Sequence, residues 1–405
     1  MICPRKLALE RLVRTDNLFV YSRYCHPRTA GNHAMVMERR WSPLSKRKLN
    51  SRRPHITPVL LFGYRIRNLP MRHFILVSLA LFSVQLAGCP ASSTIEHGSV
   101  SFDVSPNGET IVFSDANGDL WLYALGIPKL TRLTESDELE SWPSFSPNGK
   151  SVVFVRKNSK GHGMSVYDIT VDGREIRQIT RSDQCSDSQP TFSPDAKTIA
   201  FSRAHLRRRY SMGGWTWDNW DIYTVGVDGS NLQRRTNGDH YGIGGVAFSA
   251  DSHQVHFTAD ESRSSDSKQT LFTVDLERSA VVATKPAKPG DYYAWCTDVD
   301  TNKNGEMVFI SDRIAPFRYD VVFGQPNGPQ EPLGVTTVSR YNQNPVLTND
   351  GRVLFLAGTG WNSGSRPLFS LWSVNSDGTE PKQLAGSALF TKPLEWAQQQ
   401  VTAEP

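Results

Sequence analysis

The stretch Phe145-Ser146-Pro147-Asn148-Gly149-Lys150-Ser151-Val152-Val153-Phe154 decides the fold. Asn-Gly supplies the positive-φ residues of a tight turn. The β-branched run ending on Phe154 reads as a buried strand. The turn recurs at Ser105-Pro106-Asn107-Gly108, Ser193-Pro194-Asp195-Ala196, Ser249-Ala250-Asp251-Ser252, Asn302-Lys303-Asn304-Gly305 and Thr348-Asn349-Asp350-Gly351. The last residues of successive turns lie 41, 47, 56, 53 and 46 apart. Four or five residues after each comes a Phe: Phe113, Phe154, Phe201, Phe257, Phe309 and Phe355.

A third strand follows in every unit, as in Leu120-Trp121-Leu122-Tyr123 and Ile222-Tyr223-Thr224-Val225. Several of these strands end in a second turn, such as Asp172-Gly173 or Asp377-Gly378, and a short fourth strand closes on Leu133-Thr134 or Ile179-Thr180. Four antiparallel strands per repeat of this length make a β-propeller blade, and six repeats over residues 100–386 predict an all-β, six-bladed propeller.

The succession Phe-Ser-Pro-Asn/Asp-Gly, Ile/Val-x-Phe, Asp-Ile-Tyr, Asp-Gly and Leu-Thr resembles the TolB-type, WD40-like propeller repeat. The likeness is strong in units 1, 2, 3 and 6. It is weaker in unit 4, which lacks the Pro and the Gly of the turn, and in unit 5, which lacks the Ser-Pro. The resemblance implies a propeller without the N-terminal domain of TolB, because only a short tether, 89–99, precedes the first blade. Ring closure is left to Ser92–Val100 or to the tail 387–405.

The chain as a whole carries 45 Lys+Arg and 40 Asp+Glu in 405 residues, a net +5. That charge is unevenly placed. Residues 1–70 hold 15 basic and 3 acidic residues without sustained periodicity, and read as a basic extension or a start assigned too far upstream. Met71-Arg72-His73, the apolar run Phe74–Val84 and Gln85-Leu86-Ala87-Gly88-Cys89 then have the order of a secretory signal, 71–88. The apolar run is shorter than the ~20 residues that span a bilayer. Leu86-Ala87-Gly88-Cys89 resembles the lipobox of bacterial lipoproteins. That resemblance implies cleavage before Cys89, a diacylglycerol on its thiol and an acyl chain (palmitate) on the new N-terminus. Pro90, in place of the Asp that retains lipoproteins in the inner membrane, implies the periplasmic side of the outer membrane. From Cys89 onward 29 basic and 37 acidic residues remain, a net −8. A nucleic-acid partner, which needs a broad basic surface, is therefore not expected.

In a four-stranded blade the a–b and c–d turns share one face, and the b–c and d–a connections share the other. Six Trp fall in or beside the second set: Trp142, Trp215, Trp217, Trp220, Trp295 and Trp361. The longest b–c insertion is 203–220, with Arg207, Arg208, Arg209, Tyr210 and three of those Trp. Loops on a rigid scaffold carry binding residues, and Trp, Tyr and Arg dominate hot spots. The segment reads either as a protein or glycan site or as a lid whose Trp pack on neighbouring blades.

Catalytic signals are sparse. There is no G-x-S-x-G elbow and no zinc-spaced His/Cys set, and no cofactor is expected. Asp137, Glu140, Asp187 and Asp291 are the acids near the channel mouth that a polysaccharide lyase or glycosidase would need, and their plain reading is solvated loop acids. Asp298, Asp300 and Asn302 imitate a calcium loop, but the twelfth position is Ser311 rather than an acid, and the repeat register makes Asn304-Gly305 an ordinary a–b turn. His253 and His256 read as surface residues flanking a strand. Cys185 and Cys296 lie on one loop face, and their pairing is left open. The expectation is an envelope lipoprotein whose propeller binds a protein or glycan, with a polysaccharide-acting enzyme as the alternative.

Overall fold

The computed structural model describes residues 12–15, 18–21 and 100–402, except 128, 160–161, 182, 210–214, 261–268, 284–295, 313–317, 327–329, 334–337 and 359–367. Residues 1–22 and 96–405 make up one compact unit, and residues 23–95, the other, lie outside the described residues. So do the signal segment 71–88, Cys89 and the tether. Near the N-terminus β1 (Leu12–Thr15) and β2 (Leu18–Tyr21) form an antiparallel hairpin.

Among the described residues twenty-four strands follow, as six four-stranded antiparallel sheets, each built from consecutive strands. Blade 1 is β3 (Phe102–Val104), β4 (Thr110–Ser114), β5 (Leu120–Ala124) and β6 (Leu130–Arg132). Blade 2 is β7 (Glu140–Phe145), β8 (Ser151–Lys157), β9 (Met164–Thr170) and β10 (Ile176–Gln178). Blade 3 is β11 (Ser186–Phe192), β12 (Thr198–Arg209), β13 (Trp215–Gly226) and β14 (Gln233–Arg234). Blade 4 is β15 (Ile243–Phe248), β16 (Gln254–Asp260), β17 (Gln269–Asp275) and β18 (Val281–Ala283). Blade 5 is β19 (Cys296–Thr301), β20 (Met307–Ser311), β21 (Asp320–Gly324) and β22 (Gln330–Pro332). Blade 6 is β23 (Tyr341–Leu347), β24 (Arg352–Gly358), β25 (Phe369–Asn375) and β26 (Lys382–Ala385).

The six Phe of the repeat occupy the second strand of each blade and are at most 1% exposed. Each turn is held by its own first residue. The hydroxyls of Ser105, Ser146, Ser193, Ser249 and Thr348 donate to Asn107, Asn148, Asp195, Asp251 and Asp350 and accept the N–H of the next strand's first residues. In unit 5 the Asn302 side chain replaces them, accepting from the N–H of Asn304 and Glu306. The fourth turn residue has positive φ in every blade, including Ala196 (58°) and Ser252 (65°), where no Gly is present.

Neighbouring blades are tied by the Leu-Thr ending. The Thr134 hydroxyl accepts the Leu120 N–H within blade 1 and donates to Glu140 of blade 2. Thr180 repeats this between Val166 and Asp187 of blade 3, at 2.9 and 2.5 Å.

Among the described residues the ring closes without strand exchange. Asn344 of β23 accepts the Phe102 N–H and donates to the Phe102 carbonyl across the blade 6–blade 1 seam. The tail adds helices α1 (Ala388–Thr391) and α2 (Pro393–Thr402) over that seam. Phe390 meets Phe113 edge-on, and Trp396 meets Tyr123 likewise. One apolar cluster thus joins blade 1, blade 6 and the tail. Among the described residues no helix is long and apolar enough to cross a membrane.

Two sequence readings need correction. Residues 203–209 and 215–220 are strand rather than loop: β12 and β13 run twelve residues each and pair in register from Thr198↔Gly226 to Arg209↔Trp215. The insertion prolongs the blade's own hairpin because its Arg and Trp can alternate between the two faces of a strand pair. His256 is not on the surface. It lies inside β16, 2% exposed, with its Nδ1 on the Thr273 hydroxyl, and burial holds its pKa down at about 4.

Candidate functional site

The innermost strands enclose a cavity of about 90 Å³ on the propeller axis, lined by residues of all six blades. Its lining follows the repeat register. Four residues before the turn's end-defining Asn, Asp or Gly set begins, the strand bulges in blades 2 to 6. Trp142, Gln189, Asp298 and Asn344 take positive φ there, at 55, 52, 55 and 48°. Left-handed backbone at non-Gly residues is costly, and such residues gather at functional or tightly determined positions. Two residues further on, blades 1 and 5 place Asp103 and Asp300 at equivalent positions.

Each carboxylate is also a tie between blades. Asp103 accepts the N–H of Phe145 at 2.7 Å, Asp298 that of Asn344 at 3.0 Å, and Asp300 that of Leu347 at 2.8 Å. The residues are part-exposed by surface area, yet protein surrounds their carboxyls. Burial outweighs these hydrogen bonds and pushes Asp103 and Asp298 up to about 6. Asp300 rises to about 7, through burial first and then the charge of Asp103. Among the described residues no Lys, Arg, His or Glu lines the cavity.

The acids proposed for catalysis are placed differently. Glu140 and Asp187 are fully buried and locked by cations. Arg156 reaches Glu140 with Nε at 2.7 Å and lies over the rings of Phe154 and Tyr167. Arg203 holds Asp187 with Nε at 2.6 Å and Nη2 at 2.9 Å, over Phe201 and Tyr223. Reading these two as solvated loop acids is therefore wrong: they are strand residues in structural ion pairs. Asp137 is exposed on its loop, and Asp291 lies outside the described residues.

The calcium-like trio divides in the same way. Asp298 and Asp300 line the channel, whereas the Asn302 side chain is consumed by its turn. No three acidic, His or Cys side chains among the described residues come close enough together to hold a metal ion. Cys185 is a free thiol, and the side chain of Cys296 lies outside the described residues.

The aromatic set separates too. Trp142 lies beside the d–a connection, at the bulge of β7, among the residues that line the channel, and its ring packs against the apolar cluster of blades 2 and 3. Trp217 and Trp220 are 3% and 7% exposed. Trp217 donates its Nε1–H to the His162 carbonyl of blade 2, and Trp220 joins the core shared with blade 4. Trp215 is 45% exposed, with the Arg207 guanidinium 4.7 Å above its ring. Arg208 pairs with Asp218, and Arg209 is exposed. Tyr210, Trp295 and Trp361 lie outside the described residues. Asp103, Gln189 and Asn344 went unnoticed in the sequence. The signal was there: Trp142-Pro143, Gln189-Pro190 and Asn344-Pro345 recur at one register position.

No protein-family model matches the chain, and no curated protein does. Solved structures do match its fold. TolB from Acinetobacter baumannii superposes with a TM-score of 0.50 at 18% identity, over 77% of this chain and 68% of that one. The fold is a TolB-like six-bladed β-propeller. A nidogen/laminin complex matches at a TM-score of 0.50 and 11% identity, over 70% of this chain and 95% of that one. A puromycin hydrolase matches at 0.50 and 13%, over 71% and 45%. The TolB-like propeller therefore occurs both in a protein complex and in a hydrolase, and the fold leaves binding and catalysis both open.

Proposed function

We propose that this chain is a lipid-anchored binding protein of the bacterial cell envelope, tethered through Cys89, which presents its TolB-like propeller to a protein partner. The observation that carries the reading is the β12–β13 arm. It extends a blade hairpin to twelve residues per strand and holds Trp215 and Leu206 in solvent beside Arg207, Arg208 and Arg209. Buried Trp217 and Trp220 root the arm, so Trp215 is offered from a rigid base, the arrangement of an interface hot spot. The leader 71–88 and the Leu86-Ala87-Gly88-Cys89 motif support the envelope location. The catalytic alternative loses support because Glu140 and Asp187 are held in ion pairs.

Affinity purification from the native envelope tests this. Partners recovered by the wild type should be lost from a Trp215→Ala/Arg207→Ala variant, by more than tenfold in yield, as expected for an aromatic hot spot. Unchanged recovery would remove the arm as the site. Mass spectrometry of the same preparation should find Cys89 acylated at the new N-terminus.

A further inference from the structure

Beyond that reading, we propose that the channel cavity is a receptor for an organic ammonium group, a primary amine carried by a small molecule or by a lysine side chain. Four features converge on this chemistry. Asp103, Asp298 and Asp300 bring three carboxylates to one cavity whose lining, among the described residues, contains no cationic residue. Buried negative charge of this kind is costly unless a cation is taken up. The acids are too dispersed, among the described residues, to coordinate a metal ion together, whereas the three N–H donors of an ammonium group can reach separate acceptors. Trp142 is a further lining residue, its ring packed beside the cavity against the apolar cluster of blades 2 and 3, and aromatic rings attract ammonium groups.

The fourth feature is independent of the acids. Gln189 lines the cavity and is 7% exposed; its Nε2 donates to the Gly244 carbonyl at 2.9 Å, and its Oε1 has no partner. A buried amide oxygen left unpaired is costly, and an N⁺–H donor would recover that cost. At roughly 10–15 Å³ per water-sized sphere, about 90 Å³ is room for an ammonium head and its first methylenes. Asp103 and Asp300, raised to about 6 and 7, would take up the cation as they lose their protons.

Isothermal titration of the full chain tests this with four probes: n-butylammonium, N-acetyl-lysine methylamide, n-butanol and calcium chloride. At about pH 8, where the three carboxyls are ionised, both ammonium probes should bind and n-butanol should not. Their affinity should fall at least tenfold between about pH 8 and about pH 5.5, on wild-type protein alone. Asp300→Asn should weaken binding about tenfold or more, and Gln189→Leu severalfold, with the circular dichroism of both variants unchanged. Tighter binding of the lysine probe than of n-butylammonium would assign the site to a protein side chain; equal binding of both would assign it to free amines. Absence of binding by either, equal binding of n-butanol, a pH-independent affinity, or binding of calcium only would overturn the proposal.

Discussion

Ala196 closes the a–b turn of blade 3 with φ at 58°, a conformation that Gly adopts freely and a Cβ resists. The five other blades reach the same backbone with Gly108, Gly149, Gly305 and Gly351, or with Ser252, whose hydroxyl accepts the Asp195 N–H. Ala196→Gly should therefore stabilise the protein by about 0.5–1 kcal/mol, the relief of αL strain outweighing the entropy of the unfolded glycine. Urea denaturation with an unchanged m-value would show it. The turn itself was legible in the sequence, because Ser-Pro-Asn-Gly states its geometry. The strain at Ala196 was legible only through the register of the other five repeats.

Elements are held by side chains that local patterning does not reveal. Arg203 comes from the second strand of blade 3, Asp187 from its first and Thr180 from blade 2, and all meet in a buried triad. Removing the cation should leave Asp187 buried and unpaired, so Arg203→Met should cost about 3–5 kcal/mol. The double variant Asp187→Asn/Arg203→Met should recover most of the loss in the same denaturation experiment. In the sequence Asp187 looks like any loop acid, since nothing local shows that a strand sixteen residues away supplies its partner. The arm fails to be legible for the same kind of reason. Its Arg and Trp suggested a loop by composition, whereas the pairing of Leu206 with Asp218 and Arg207 with Trp217 makes it sheet. Trp142 stands beside its connection as the sequence indicated, but the bulge in β7 on which it sits has no local signal.

The propeller as a whole was readable from the repeat, since six turns and six Phe at matching offsets leave few other architectures. What the repeat could not show is what meets on the axis. Asp103 and Asp300 are about two hundred residues apart in sequence and become coupled only when the ring closes. The coupling has a pH consequence. Folded Asp300 titrates near 7, above its unfolded value, so its contribution to stability is fully present below about pH 4 and is lost as pH rises through about 7. At about pH 8 Asp300→Asn should be more stable than wild type by about 1–3 kcal/mol, and the difference should vanish near pH 4. His256, held down at about 4, acts in the opposite direction as pH falls below its unfolded value. It is common to both proteins and cancels in the comparison, which thermal melts across that range would read.

The central claim is that the partner meets the face that carries the β12–β13 arm. A photo-crosslinking benzophenone amino acid placed at Trp215 tests it most directly, against a control at Asn107, which is exposed on the opposite, a–b turn face. Irradiation of envelopes should give a discrete adduct from position 215 and none from position 107. Adducts of equal yield from both positions, or from position 107 alone, would contradict the account.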